Sequence, residues 1–216
     1  MLDKIYLNDG LHLPNEILAI VINELASDME DNRDETLPAL ASCRLASHAL
    51  CSLATPRFFS SIQLTDYAGI NRPPDCNVLF KRATLLDQIL TIRHVATSVH
   101  IFTLHCHHIY FQDSGNVTLI SSILHHLPHV QEFSFGATGS WLTFSFLPED
   151  LVSAIHTLCR SPTLTRLYLD NILDLSLTVI TQCPNLRFLH LWDVSLTANY
   201  DFWVLSATFF GTFCNN

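Results

Sequence analysis

Two groups of histidines are the side chains in this sequence best suited to metal chemistry. Six of the 12 histidines fall in two short stretches: His105, His107, His108, His125, His126 and His129. Because strand side chains alternate between faces, His105 and His107 would share a face, as in a two-histidine metal site. No Asp or Glu joins either group at ligand spacing, and separate elements would have to align the two groups. We therefore predict satisfied or surface histidines, with no metal and no other cofactor.

A cysteine beside a histidine, Cys106, is the candidate for thiol catalysis. Neighbours in sequence do not by themselves form the spatial pair that activates a thiolate. The chain also lacks a glycine-rich phosphate loop and a Gly-x-Ser-x-Gly motif, and it has only six glycines. We predict that the protein is not an enzyme.

Composition limits the class of partner and the compartment. The net charge is −9 and Lys81-Arg82 is the densest basic pair, so the sequence argues against nucleic-acid and anionic-membrane binding. No secretory signal and no apolar stretch long enough for a membrane span is visible. The seven cysteines are odd in number and none is spaced as Cys-x-x-Cys: Cys43, Cys51, Cys76, Cys106, Cys159, Cys183 and Cys214. Reduced thiols of a cytoplasmic or nuclear protein fit this pattern.

Residues 13–64 predict two or three short helices followed by a strand. Pro14 suits the first turn of a helix, where its missing N–H costs nothing. One helical face then collects Ile17, Ile20, Val21 and Leu25. Leu18 and Ile22 widen this apolar stripe beyond the needs of one small core. A helix with apolar residues on more than one side is either buried all round or docked on a partner.

The same stretch resembles an F-box, in the form common in fungal, basidiomycete-type proteins. The resemblance lies in the ordered set Leu-Pro-x-Glu-Ile-Leu from Leu13, Leu-x-x-Leu-x-x-Cys-Arg-Leu from Leu37, and Phe-Phe-x-x-Ile-x-Leu from Phe58. It departs where many F-boxes carry a Trp, since this chain reads His48-Ala49-Leu50. The resemblance implies docking on the Skp adaptor of a cullin-RING (SCF-type) ubiquitin ligase through these residues: Leu13, Pro14, Ile17, Leu18, Val21, Leu25, Leu40 and Leu45.

A repeat occupies residues 83–196. Four segments share one apolar spacing and align as Val99-x-x-Phe102-x-Leu104, Val130-x-x-Phe133-x-Phe135, Leu164-x-x-Leu167-x-Leu169 and Leu186-x-x-Leu189-x-Leu191. The last three follow prolines at positions 128, 162 and 184, which end the preceding helix. Helical patterns are predicted at 84–95, 117–127, 149–159 and 173–183. Each unit is therefore a helix, a proline stop and a strand.

These units resemble degenerate leucine-rich repeats of the kind that follow many fungal F-boxes. In the family, an Asn at one position of each unit bonds backbone groups of its neighbours and so forms a ladder along the array. Ile172 and Val194 stand at that position here, so the helix–strand units, or coils, are expected to rely on apolar stacking. The strand positions between the leucines would face a concave surface and hold a target protein there: Thr103, Ser134, Tyr168, His190 and Trp192. The predicted fold class is α/β, with N-terminal F-box helices followed by a short, irregular leucine-rich-repeat solenoid of parallel strands and outer helices.

The predicted boundaries are a leader at 1–12, an F-box-like domain at 13–64, a linker at 65–82, repeats at 83–196 and a tail at 197–216. Within them, 28–36 is expected to be an acidic loop and 136–147 an inserted loop. Two interpretations of the tail stay open, a truncated array or a segment that folds back over the last coil. We predict a substrate-recognition subunit for ubiquitin-dependent degradation. The alternative is a non-catalytic leucine-rich-repeat interaction protein with no ubiquitin-ligase role.

Overall fold

The computed structural model describes residues 5–6, 12–27, 33–66, 76–198 and 201–210. The chain divides into two compact units, Met1–Ser61 and Ile62–Asn216. The division lies at the start of the strand that was predicted to end the first domain. The segment 62–64 therefore belongs to the second unit.

Three helices build the first unit. They are α1 (Asn15–Ser27), α2 (Arg33–Ala46) and α3 (His48–Phe58), preceded by a two-stranded antiparallel pair, β1 (Ile5–Tyr6) and β2 (His12–Leu13). The predicted helical organisation is thus found, but the predicted leader contains β1. The predicted acidic loop is also too long, because residues 33–36 are already helical and Thr36 is buried; residues 28–32 lie outside the described part of the chain.

Local sequence explains where two of these helices begin. The carbonyl of Pro14 accepts hydrogen bonds from the N–H groups of Ile17 and Leu18 at 3.1 and 3.2 Å, which starts α1 directly after the proline. The hydroxyl of Ser47 accepts the N–H of Leu50 at 3.1 Å and caps α3. Both contacts satisfy helix ends that would otherwise lack partners.

The core of the first unit is small and is closed by an arginine. Ile22, Leu40 and Ala54 form its buried centre. Arg44 lies 4.7 Å from the ring centroid of Phe58 and 4.8 Å from that of Phe59, which is cation–π geometry. Its Nε also donates to the hydroxyl of Thr55 at 3.2 Å. The Cys-Arg segment of the predicted motif therefore contributes to holding α2 on α3.

A sheet with strands in chain order forms the second unit. Its order is β3 (Ser61–Thr65), β4 (Ile101–Cys106), β5 (Glu132–Ala137), β7 (Arg166–Ser176), β8 (Phe188–Ala198) and β9 (Asp201–Phe210). The pairs β4–β5, β5–β7 and β7–β8 are parallel, and a short strand, β6 (Leu142–Thr143), also pairs parallel with β7. Strand β9 runs antiparallel to β8. The predicted α/β class with parallel strands is confirmed, and residues 201–210 fold back along β8.

The four predicted repeat segments lie in register. Across the sheet, Phe102 pairs with Phe133, Phe133 with Leu167, and Leu167 with Leu189; the next apolar position is aligned in the same way. The rings of Phe102 and Phe133 stack with centroids 6.3 Å apart. All the residues at both positions are buried, as are the apolar residues that begin each segment: Val99, Val130, Leu164 and Leu186. Each coil thus covers the apolar side of its neighbour.

Helices line the side of the sheet that carries these buried residues. They are α4 (Cys76–Leu90), α5 (Arg93–Ala96), α6 (Ser114–His125), α7 (Glu149–Cys159) and α8 (Leu177–Thr181), and α4 contacts α6, α6 contacts α7, and α7 contacts α8. Helix α7 matches its predicted limits. Residues 76–82 were predicted as linker but belong to α4. Residues 173–176 were predicted as helix but extend β7, because Leu175 is buried on the sheet.

A repeated backbone contact locks each coil to the one before it. One carbonyl accepts the N–H groups of two successive residues of the next coil at 2.8 and 3.0 Å. The accepting residues are His100, Gln131 and Thr165. The same pair of hydrogen bonds occurs three times among the described residues, at the starts of β5, β7 and β8. These bonds fix the register of successive strands.

Two residues with left-handed backbone conformation lie at equivalent positions within β7 and β8. Asn171 has φ 56° and Asp193 has φ 50°, a conformation that Asn and Asp tolerate better than most residues. The next residues, Ile172 and Val194, are paired and buried, so these positions contribute apolar contacts between neighbouring strands. Asn171 donates from Nδ2 to the carbonyl of Ala137 at 3.1 Å.

The predicted loop at 136–147 is partly ordered into secondary structure. It contains the end of β5, then β6, then a 3₁₀ turn, Phe144–Phe146. Trp141 and Phe146 are exposed on this insertion. The insertion therefore adds an extra strand contact to β7 as well as exposed aromatic surface.

Two leucines of α2, Leu40 and Leu45, differ in burial and allow the effect of core packing to be measured against that of a surface side chain. Replacing the fully buried Leu40 with Ala should lower the free energy of unfolding of the first unit by about 2–5 kcal/mol, because it leaves a cavity. The matched change Leu45→Ala should stay within about 0.5 kcal/mol, since that side chain is 89% exposed. Amide hydrogen exchange of α1 to α3 measures both, and equal effects of the two variants would contradict this core assignment.

Candidate binding groove on the open face of the sheet

The sheet face opposite the buried rows carries polar and aromatic side chains in register. Thr103 pairs with Ser134, Ser134 with Tyr168, and Tyr168 with His190, so four predicted target-binding residues form one row. All four are half-buried. The fifth, Trp192, lies in the neighbouring row and is 55% exposed. The structure therefore brings the predicted residues onto one surface, and their role in target binding stays a prediction.

A groove of about 720 Å³ opens on this face at the carboxyl ends of β3, β4 and β5, beside the middle of β7 and β8. Its lining residues are Thr65, His105, Ala137, Thr138, Gly139, Asp170, Asn171, His190 and Trp192. Only the last two were predicted as site residues. The groove thus lies at one end of the predicted surface.

The floor of the groove depends on a glycine. Gly136 lies on β5 between His105 on β4 and Asp170 on β7. Since Gly136 has no side chain, His105 Nε2 and Asp170 Oδ2 meet across it at 3.4 Å. A Cβ atom at this position would overlap the carbonyl oxygen of Asp170. The close approach of Asp170 to Gly136, which only a residue without a side chain permits, therefore brings side chains two strands apart into contact.

Burial dominates the charge state of this pair. Desolvation lowers the pKa of His105 below its ordinary value, although the carboxylates of Asp170 and Asp66 act in the opposite direction. Desolvation also raises the pKa of Asp170, opposed by His105 and His190. At neutral pH the pair is therefore a carboxylate beside a largely neutral imidazole.

The contacts of His105 do not match a catalytic triad. Its Nε2 lies 2.8 Å from the hydroxyl of Ser134 and 3.4 Å from the carboxylate of Asp170. In a triad the acid holds one ring nitrogen and the nucleophile bonds to the other. Here both partners share the same nitrogen. A relay of protons from Ser134 through His105 to Asp170 is therefore not available in this arrangement.

A second carboxylate ties the ends of three strands together. Asp66, at the end of β3, is buried and accepts the hydroxyl of Thr138 at 2.6 Å and the N–H of His107. Its own N–H donates to the carbonyl of His105 at 3.3 Å. Sequence reasoning missed both Asp66 and Asp170, although a single acidic residue directly after an apolar strand was a visible signal.

The two histidine groups are dispersed into separate contacts. His108 lies 2.6 Å from the hydroxyl of Ser140, and His126 lies 3.7 Å from the carboxylate of Asp87. Among the described residues, no group of three or more His, Cys, Asp or Glu could hold a metal ion. Cys106 is buried, and its Sγ points toward the carbonyl of Leu64 at 3.9 Å. The thiol of Cys106 therefore faces backbone in the core.

The residues predicted to bind an adaptor divide into two classes. Leu18 and Leu40 are buried in the first unit and Leu25 is half-buried, so they contribute to its own packing. The exposed members are Pro14, Ile17, Val21 and Leu45. The side chain of Leu13 lies outside the described residues.

No family model, curated protein or solved structure matches the chain. Among the described residues, none of the helices has the length and apolar content to cross a membrane.

The glycine at the groove floor can be tested against a second glycine. Gly136→Ala should destabilise the chain by about 1–3 kcal/mol and separate His105 from Asp170, because the new methyl group meets fixed backbone. Gly115→Ala in α6 should have a smaller effect, since its Cβ would meet one side-chain atom, the Asp113 Oδ1 that caps α6, and no backbone outside the helix. Urea unfolding of both variants measures this, and an unaffected Gly136→Ala protein would show that the strands are not so closely held.

The buried imidazole gives a pH dependence of known sign. Because the pKa of His105 is lower in the folded chain than its unfolded value of about 6.5, the unfolded state binds the proton first as pH falls. The contribution of the neutral His105 to the free energy of unfolding is therefore fully present above about pH 6.5, and it is lost as pH falls toward the pKa of His105 in the folded chain. His105→Gln should flatten the loss of unfolding free energy measured from neutral to mildly acidic pH. The same change at the exposed His125 is the control, and equal slopes for wild type and His105→Gln would refute the assignment.

Proposed function

We propose that this chain is an F-box-type substrate-recognition subunit of an SCF-type (cullin-RING) ubiquitin ligase. Its first unit would dock on a Skp-type adaptor, and its second unit, as a degenerate leucine-rich-repeat solenoid, would hold a target protein. The chain would contribute proximity, since holding the target near the conjugating enzyme makes transfer effectively intramolecular.

The observation that carries the proposal is a second apolar face on α1. Leu18 and Ile22 face the core of the unit, whereas Ile17, Ile20 and Val21 are 43%, 55% and 54% exposed. The three exposed residues are spaced by three and four and therefore share one side of the helix. An exposed apolar stripe beside a complete core is typical of a helix that docks on another protein.

A further exposed leucine lies on α2. Leu45 follows the Cys-Arg segment and is 89% exposed. In the proposed complex, Pro14, Ile17, Val21 and Leu45 contact the adaptor. Leu18 and Leu40 serve indirectly, by holding the helices that present these side chains.

The second unit supports the proposal through its repetition. Apolar rows in register, a single helical layer and an open polar face are the features of a repeat array that binds along its concave side. The row of Thr103, Ser134, Tyr168 and His190 lies on that open face. Tyr and His there supply contact area of the kind enriched at interfaces.

Adaptor capture tests the proposal directly. The full chain, co-expressed with a fungal Skp-type adaptor, should co-purify with it, and Val21→Asp should reduce capture at least about tenfold, because a charge is then desolvated at the interface. Leu85→Asp is the matched control: Leu85 is 59% exposed on α4 and should leave capture unchanged.

Two outcomes would contradict the assignment. One is failure of the wild-type chain to bind the adaptor, and the other is full capture by the Val21→Asp variant in a folded protein. Either result would favour the alternative, an interaction protein of the leucine-rich-repeat type without a ubiquitin-ligase role.

A further inference from the structure

We propose that the groove on the open sheet face binds an arginine side chain of the target segment, with its guanidinium against Asp170 and stacked on Trp192. This inference rests on the proposed function, because it assigns a chemistry to the surface that would hold the target. It adds Asp170, which sequence reasoning did not select, to the residues of that surface.

The geometry places an acid and an aromatic ring side by side. Asp170 and Trp192 are paired residues on the adjacent strands β7 and β8, and both line the groove. Adjacent strands lie about 4.8 Å apart, so side chains of paired residues on one face can contact the same ligand group. Trp192 is 55% exposed and has an accessible ring.

Charge favours a cation as the ligand. The carboxylate of Asp170 lies 3.4 Å from His105 Nε2 and lines the groove together with His190. The guanidinium of Arg166 is committed to Glu132 at 3.3 Å, toward the opposite end of β7. Asp170 is therefore the acidic group that the groove offers to a ligand, in a chain whose net charge is −9. An anionic ligand would meet this carboxylate and be repelled.

The shape of the pair selects arginine among cations. A planar guanidinium donates two parallel hydrogen bonds to a carboxylate and stacks on an indole face, whereas an ammonium group does neither as well. Trp is the aromatic residue that attracts cations most strongly. The groove, of about 720 Å³, has room for the planar head group beside Asp170 and Trp192, and Gly139 in its lining adds no side chain.

The test compares two capped amino acids on the full chain by nuclear magnetic resonance. N-acetyl-arginine N-methylamide carries the guanidinium, and the citrulline counterpart has almost the same shape without charge. Arginine should shift the Trp192 indole N–H signal in a saturable way and bind at least about tenfold more tightly than citrulline. Added salt should weaken only the arginine interaction. Equal shifts with both probes, or none with either, would overturn the inference.

Variants locate the site. Asp170→Asn should lose at least about tenfold in arginine affinity, while Asp150→Asn, the same charge change at an exposed position in the first turn of α7, should bind like wild type. If Asp170→Asn does not fold, Trp192→Ala replaces it, because removing an exposed ring leaves the core intact; the Gly139 amide then reports binding. Wild-type affinity in a folded Asp170→Asn or Trp192→Ala protein would refute the assignment.

The adaptor takes no part in this measurement, so the two proposals fail separately. Absent arginine binding would overturn the groove assignment and leave adaptor capture untouched. If the chain binds arginine but does not capture the adaptor, the groove would still be a site for an arginine-containing segment, in a protein that is not a ligase subunit.

Discussion

The second unit depends on the stacking of apolar residues at the same position of successive coils. A single helix and strand cannot hide their apolar side, so each coil needs the next to cover it. The aligned row of Phe102, Phe133, Leu167 and Leu189 supplies that cover, and the carbonyls that accept two N–H groups hold its register. The same register sets the open face, because a strand that aligns its buried side chains also aligns those that alternate with them.

The open face shows how this regularity can create a specific site. In a regular array every row would be filled by side chains of similar size. The row that starts at His105 is interrupted by Gly136, where the backbone of Asp170 approaches closely, and an imidazole and a carboxylate from non-adjacent strands meet across it. One missing side chain thus creates, in an otherwise repeated pattern, a contact between two residues that line the groove.

Sequence reasoning recovered what local patterns encode. The spacing of leucines and phenylalanines, with a proline before each strand, predicted the aligned coils and the limits of α7. It did not predict the start of α4, because tertiary contacts extend that helix into residues 76–82, which were predicted as linker. It did not predict the short α8, because tertiary contacts extend β7 through residues 173–176, which were predicted as helix. The contact between His105 and Asp170 was also out of reach, since it spans 65 residues in sequence and depends on the absence of a side chain elsewhere. The sequence predicted a satisfied or surface histidine at position 105, and the partners that it could not identify are Ser134 and Asp170.

The left-handed residues Asn171 and Asp193 have a consequence for how such coils diverge. Their backbone conformation excludes β-branched side chains, so substitution there is confined mainly to Asn, Asp and Gly. The neighbouring core positions exchange leucine for isoleucine, valine or phenylalanine with little cost to the overall shape. Distant copies of these coils should therefore be traceable by a small polar residue two places after the second strand leucine, even where the leucines themselves have been replaced.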